Sequence, residues 1–138
     1  MIRRIILDTN IWVSFFISEN FKFLDALLFN DQITLLFNQI SLNELIQVCS
    51  RPKLKKWIPQ KELIDLVDLI IETGEEVRIT NEVDICRDKK DNFLLSMAID
   101  GKADYLITGD EDLLVLGKIA ATKILKITDF KDLMENSR

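Results

Sequence analysis

The chain has 138 residues, with 18 Lys or Arg, 23 Asp or Glu and no histidine, and its formal net charge is −5. This length fits one domain over residues 1–138, and 48% hydrophobic with 30% charged residues excludes a disordered or fibrous chain. The lack of histidine excludes Ser-His and Cys-His nucleophile pairs and histidine-bound zinc, so catalytic groups must come from carboxylates, hydroxyls, amides or cations.

Short apolar runs alternate with helical patterns along the whole chain. In chain order they predict a strand at 4–7, helices at 10–17 and 21–30, a strand at 33–37, a helix at 41–49, a helical turn at 52–58, a helix at 61–73, a strand at 76–79, a helix at 91–102, a strand at 105–108, a helix at 111–116, a strand at 124–127 and a last helix capped by Thr128. Ser41, with Glu44 three residues later, predicts a capping box. The alternation indicates an α/β fold with a mostly parallel sheet.

Acidic residues stand where ligand sites form in such a sheet. Asp8 directly follows the first strand, and Asp110 directly follows the strand at 105–108. Glu44 and Asp91 lie in the first turns of helices that are entered from strands. Because ligands bind beyond the carboxyl ends of parallel strands, four separate segments would bring a carboxylate to one edge.

Each acid also has a purely structural interpretation. Asp8 could cap the next helix, and Glu44 could be only the capping partner of Ser41. Asp91 could be a first-turn acid favoured by the helix dipole, and Asp110 could be a turn residue.

The four acids together favour a metal site. Two carboxylates about 4 Å apart repel by about 4 kcal/mol at an effective dielectric near 20, and four would repel several times over. A divalent cation would relieve that repulsion, and a set of ligands made only of oxygen atoms selects Mg²⁺ or Mn²⁺. Such ions support phosphodiester hydrolysis.

Four short motifs resemble those of PIN-domain nucleases, in the same order and at similar spacings. They are 7–14 (Leu-Asp-Thr-Asn-Ile-Trp-Val-Ser), 41–45 (Ser-Leu-Asn-Glu-Leu), 87–93 (Arg-Asp-Lys-Lys-Asp-Asn-Phe) and 108–113 (Thr-Gly-Asp-Glu-Asp-Leu). In this form, the four motifs are most similar to those of PIN proteins that are toxin components of toxin–antitoxin pairs. The resemblance implies a three-layer α/β/α sandwich around a mostly parallel five-stranded sheet. It also implies Mg²⁺- or Mn²⁺-dependent endoribonuclease activity that leaves a 5′-phosphate and a 3′-hydroxyl.

The resemblance assigns roles to individual residues. The metal-binding, catalytic acids would be Asp8, Glu44, Asp91 and Asp110, holding one or two ions. Asn10 and Thr108 would be polar helpers that orient a ligand or a water molecule. Asp88 is the near alternative to Asp91, and Asp112 is the alternative to Asp110 or a further metal ligand.

Basic residues close to these acids predict how RNA is held. Residues 51–61 contain five cations and no acid, and they include Trp57, which could stack on an unpaired base. Arg87, Lys89 and Lys90 precede Asp91. The proposed RNA-binding residues are Arg51, Lys53, Lys55, Lys56, Lys89 and Lys90. The alternative is a solvated connection with Trp57 in the core or in an interface.

Partners and location follow from the apolar pattern. The helix at 61–73 is apolar on more than one face, which predicts a homodimer or tetramer. A toxin would also have a small antitoxin protein as its partner. The basic start and the apolar run after it are interrupted by Asp8, Asn10 and Ser14, unlike a signal peptide. No segment is apolar enough to cross a membrane, and we expect a cytoplasmic protein.

Other functions fit the motifs less well. A Mg²⁺-dependent phosphatase with an aspartyl nucleophile needs a second Asp where Asn10 stands. A receiver-like signalling domain needs paired acids after its first strand and a lysine after its last strand, and neither feature is evident. A non-catalytic PIN-like binding domain stays open as the alternative.

Overall fold

The computed structural model of the protein describes residues 2–18 and 21–136. Its strands are β1 (Arg3–Leu7), β2 (Ile33–Phe37), β3 (Glu75–Glu76), β4 (Tyr105–Ile107), β5 (Lys118–Ile119) and β6 (Thr122–Leu125). Its helices are α1 (Thr9–Ser18), α2 (Phe21–Leu28), α3 (Gln39–Cys49), α4 (Pro52–Lys55), α5 (Gln60–Thr73), α6 (Lys89–Asp100), α7 (Glu111–Leu114) and α8 (Ile127–Asn136). Within the described ranges, no helix is long and apolar enough to span a bilayer.

The strands form one sheet in the order β3-β2-β1-β4-β6-β5. All neighbouring pairs are parallel except β5 and β6, which form an antiparallel hairpin. The mostly parallel sheet is confirmed, but it has six strands rather than five. The added strand, β5, has only two residues and follows Gly117, whose φ of 72° suits a turn, so periodicity alone could not find it.

Helices cover both faces of the sheet, which confirms the three-layer architecture. Because side chains alternate along a strand, Ile5 and Leu7 of β1 face one cluster and Ile6 faces the other. Helices α1, α2, α3, α5 and α8 pack on the first face, and α6 and α7 pack on the second. The central strands are therefore buried on both sides, as their unbroken apolar sequences predicted.

The start of α3 differs from the prediction. Asn38, not Ser41, is the N-cap, and its side chain accepts a hydrogen bond from the amide of Ile40 at 2.8 Å. The Ser41 hydroxyl completes the capping box by accepting the Asn38 amide at 3.1 Å. The expected pairing of Ser41 with Glu44 is therefore wrong, and Glu44 takes no part in the cap.

Two other helix starts were also placed too late. Helix α6 begins at Lys89 because Asp88 caps it, accepting the Lys90 amide at 2.9 Å, so Asp91 is the third helical residue. Helix α8 begins at Ile127, so Thr128 lies inside it rather than capping it.

Strand β3 is shorter than the predicted strand at 76–79. Beyond Val77, whose amide still donates to Phe37 O at 2.7 Å, the chain turns its amides to side chains of α6. Asp100 accepts the amide of Thr80 at 2.6 Å, and Ser96 accepts that of Val83 at 3.0 Å. These contacts replace sheet pairing and hold the segment that leads to α6.

Helix α5 has an unevenly buried surface. Leu63, Leu66 and Ile70 are buried, whereas Ile64 and Ile71 are 58% and 50% exposed. The second apolar face that the sequence indicates is therefore real, and self-association through it stays a prediction.

Candidate metal centre

The acidic residues meet at the carboxyl end of the central strands. Asp8 follows β1 and donates its amide to Ile107 O of β4 at 3.0 Å, while Asp110 caps α7 just beyond β4. A cavity of about 230 Å³ lies at this edge. It is lined by Asp8, Thr9, Asn10, Glu44, Val48, Arg51, Asp88, Lys90, Asp91, Leu94 and Asp110. The structure thus brings the four predicted acids to one cavity.

Thr108 connects two of these acids. Its buried hydroxyl donates to Asp8 Oδ2 at 2.7 Å and accepts the Asp110 amide at 3.0 Å. Burial raises the pKa of Asp8, and the Thr108 hydrogen bond offsets part of that rise. Thr108 is therefore a positioning residue for Asp8, and its role in orienting a ligand or a metal-bound water stays a prediction.

Asp91 is the most deeply buried of the acids. It is 5% exposed, and its Oδ2 atom has no hydrogen-bond partner. Burial and the nearby negative charge of Asp110 raise the pKa of Asp91 to about 7. A buried carboxylate oxygen without a partner is destabilising unless a cation binds it, so this atom fits a metal site.

Three acids lie within reach of one ion. One carboxylate oxygen from each of Asp91, Asp110 and Asp112 lies within 4.8 Å of the other two, and the described part of the chain contains no other set of three acids this close together. Oxygen atoms alone suit Mg²⁺ or Mn²⁺. Asp112 therefore groups with Asp91 and Asp110 although it lies outside the cavity lining, while Asp8 and Glu44 line the cavity together with Asp91 and Asp110.

Glu44 differs from the other acids because both of its oxygens have partners. Lys90 Nζ lies 3.0 Å from Oε1, and the Thr9 hydroxyl donates to Oε2 at 3.2 Å. The sequence reasoning missed Thr9 as a site residue. Its place directly after Asp8 at a strand end was the available signal, since polar residues at strand ends point to the ligand edge.

The remaining polar residues lie around this cavity. Asp88 lines it but serves as the cap of α6, and Asn10 lines it from the first turn of α1. The Arg87 guanidinium lies 3.4 Å from Asp112, with its side chain 89% exposed. Within residues 2–18 and 21–136, no lysine or arginine forms an ion pair with Asp8, Asp91 or Asp110.

The expected RNA-binding cations fall into three groups. Arg51 and Lys90 line the acidic cavity itself. Three exposed lysines lie on or directly after α4: Lys53, Lys55 and Lys56. Lys89 lines a separate cavity of about 1000 Å³ on another side of α6. Trp57 is 57% exposed, so the interpretation that buried it in the core is wrong.

Comparison with known proteins identifies one family. The family model described as PIN domain matches residues 4–112, which include all of the acids in the cavity. No curated protein matches the chain closely enough to count as a relative.

Proposed function

The chain belongs to the PIN-domain family, and on that premise we propose that it is a divalent-metal-dependent endoribonuclease. The family has a nuclease fold, and its members usually depend on metal ions. The observation that carries the proposal is the unpartnered Oδ2 of Asp91, buried beside Asp110 and Asp112. Without a cation, that cluster only destabilises the fold, and a bound metal ion would relieve the repulsion.

In this proposal, some residues of the site bind the metal ion and others bind the RNA. Asp91, Asp110 and Asp112 would hold an ion, with Asp8 beside them. When bound, Mg²⁺ or Mn²⁺ supplies positive charge that aligns the scissile phosphate and makes a water molecule a better nucleophile. Thr108 holds Asp8 in place, and the exposed Arg51 provides a cation at the cavity for the RNA backbone. Hydrolysis would leave a 5′-phosphate and a 3′-hydroxyl.

The finer proposal is that the chain is the toxin of a toxin–antitoxin pair, which acts on RNA and is neutralised by a small antitoxin protein. It is supported by the similarity of the motifs at 7–14, 41–45, 87–93 and 108–113 to those of such toxins. This proposal requires that the nuclease activity itself stops growth when the chain is produced alone.

A labelled single-stranded RNA incubated with the protein tests the activity. We expect cleavage with Mn²⁺ or Mg²⁺ and none with EDTA. Asp8→Asn should lower the cleavage rate by about 10²-fold or more while the circular dichroism spectrum stays unchanged. Asp132→Asn, which changes an exposed acid of α8, is the matched control and should cut like the wild type.

The outcomes separate the candidate functions. Cleavage in EDTA, or full cleavage by Asp8→Asn, would contradict the metal mechanism. No cleavage of any RNA with either ion would favour a non-catalytic PIN-like binding domain. In cells, we expect the wild-type protein to stop growth and Asp8→Asn to leave growth unaffected. A wild-type protein that leaves growth unaffected would contradict the toxin role.

A further inference from the structure

The two sides of the acidic cavity are neutralised in different ways. On one side, Asp91 Oδ2 is buried without a partner, and Asp110 has no ion pair among the described residues. On the other side, Glu44 is already satisfied by Lys90 and Thr9. The protein therefore supplies its own cation to Glu44, whereas Asp91 and Asp110 are left for an external ion. Among the described residues, only the exposed Arg87 pairs with Asp112.

The position of Lys90 makes its contact with Glu44 specific. Its backbone amide donates to Asp88 Oδ1 at 2.9 Å, which fixes the lysine in the first turn of α6. From there the side chain reaches across the cavity to a carboxylate on α3, with Nζ 3.0 Å from Oε1. At that distance the ammonium and the carboxylate form a close ion pair.

An ion at Glu44 would have to displace this lysine. A divalent ion binds carboxylate oxygens at about 2.0–2.6 Å, so an ion on Oε1 would lie close to the Lys90 ammonium and be repelled by it. Arg87, the cation that pairs with Asp112, lies 3.4 Å from it and has a side chain that is 89% exposed, so an ion displaces it more easily. The trio of Asp91, Asp110 and Asp112 is thus the more accessible place for an ion.

We infer that the Lys90 ammonium takes the place of a second divalent ion at Glu44, so that the cavity binds one ion, held by Asp91, Asp110 and Asp112. This inference rests on the metal dependence proposed above. It gives Lys90 a role in setting the number of ions, beyond the general RNA-binding role that the sequence suggested for it.

Counting bound Mn²⁺ from the electron paramagnetic resonance signal of the free ion tests this inference without RNA. The wild type should bind one ion. Lys90→Gln should bind a second ion. Its affinity for that ion should be at least about tenfold higher than the weak affinity of the wild type for a second Mn²⁺. Lys90→Arg keeps the charge and should again bind one ion.

Two further variants act as controls. Lys89→Gln removes the same charge from the neighbouring residue, whose side chain lines the other cavity, and should still bind one ion. Combining Lys90→Gln with Glu44→Gln should abolish the second ion, because its carboxylate ligand is gone. The Lys90 side chain is 62% exposed, so these changes should leave the melting temperature of the fold nearly unchanged.

The results distinguish failure of this inference from failure of the proposed function. Two ions in the wild type, or one ion in both the wild type and Lys90→Gln, overturn the inference and leave a metal-dependent nuclease. A second ion that persists in the double variant also overturns it, because Glu44 would then not be the ligand. No ion in any variant overturns the metal dependence itself and the inference with it.

Discussion

The two ends of the central sheet differ in how their charged side chains are paired. At the amino end, Arg4 forms an ion pair with Glu75 and donates to Gly101 O at 2.9 Å, and Asp104 accepts the Arg4 amide at 2.8 Å. The hydrogen bond with Arg4 lowers the pKa of Glu75. At the carboxyl end, the buried Asp91 and the half-buried Asp8 lie among other acids, and their pKa values are raised.

The contrast shows which charges serve the fold and which serve the site. A carboxyl group whose pKa is lowered stabilises the folded protein at neutral pH, and one whose pKa is raised destabilises it. The amino end therefore stabilises the fold, while the carboxyl end weakens the protein without its ligand. Such local destabilisation is the usual consequence of keeping a binding site.

The largest expected effect comes from removing a charge at each end of the same helix. Asp91→Asn should lower the cleavage rate by about 10²-fold or more and raise the free energy of unfolding without metal by about 1–2 kcal/mol at pH 8. Asp100→Asn, at the other end of α6, should lower the free energy of unfolding by about 1 kcal/mol, because Asp100 accepts hydrogen bonds from the amides of Thr80 and Asn81.

Cleavage assays and urea unfolding in EDTA measure both effects. The comparison would break if the two substitutions changed stability in the same direction. It would also break if Asp91→Asn left cleavage intact, since the buried carboxylate would then have no part in the reaction.

Titration sharpens the comparison, because the two ends respond in different pH ranges. The pKa of Asp91 rises from its ordinary 3.8 to about 7, so the folded state holds this proton more tightly than the unfolded chain does. In EDTA, stability should therefore fall by on the order of 2–4 kcal/mol as the pH rises from about 4 to above 7. Glu75 and Asp100, with lowered pKa values, should instead lose their contribution only as the solution becomes acidic, below about pH 4.5.

Urea unfolding from about pH 3.5 to about pH 8.5 checks both ranges, with Asp91→Asn as the control that should flatten the decline. Saturating Mn²⁺ should reverse the loss at high pH, because the ion binds the deprotonated carboxylates. A wild-type stability that stays level in EDTA across this range would show that Asp91 is not strained by its neighbours.

The smallest expected effect concerns the approach of RNA to the carboxyl end. Changing Lys53, Lys55 and Lys56 together to Glu should weaken RNA binding and reduce the slope of log affinity against log salt by about 2, at about 0.7 per phosphate contact. The matched control changes to Glu three exposed lysines that do not line the acidic cavity: Lys102, Lys118 and Lys123. It makes the same difference in net charge and should weaken RNA binding less. If fluorescence anisotropy shows equal losses of RNA affinity for both triple variants, only the net charge of the protein matters for binding.

The strands and the strand-end acids could be predicted from sequence because their signals are local. Ile33–Phe37 is a continuous apolar run, and the strand matches its predicted bounds. Asp8 and Asp110 follow such runs directly, so parallel topology alone brings them together. What could not be predicted depends on distant contacts. Lys90 was assigned to RNA because nothing in its neighbourhood shows that its ammonium reaches Glu44 on another helix.

Thr108 has one hydroxyl hydrogen, and its surroundings fix where that hydrogen points. The backbone N–H of Asp110 can only donate, so this contact uses a lone pair of the Thr108 oxygen and the hydroxyl hydrogen is directed to Asp8. Serine preserves this one-way polarity, whereas the isosteric valine erases the donor and the acceptor together. Both contacts therefore require an alcohol at this buried position, although a hydrocarbon of the same size would fit the space.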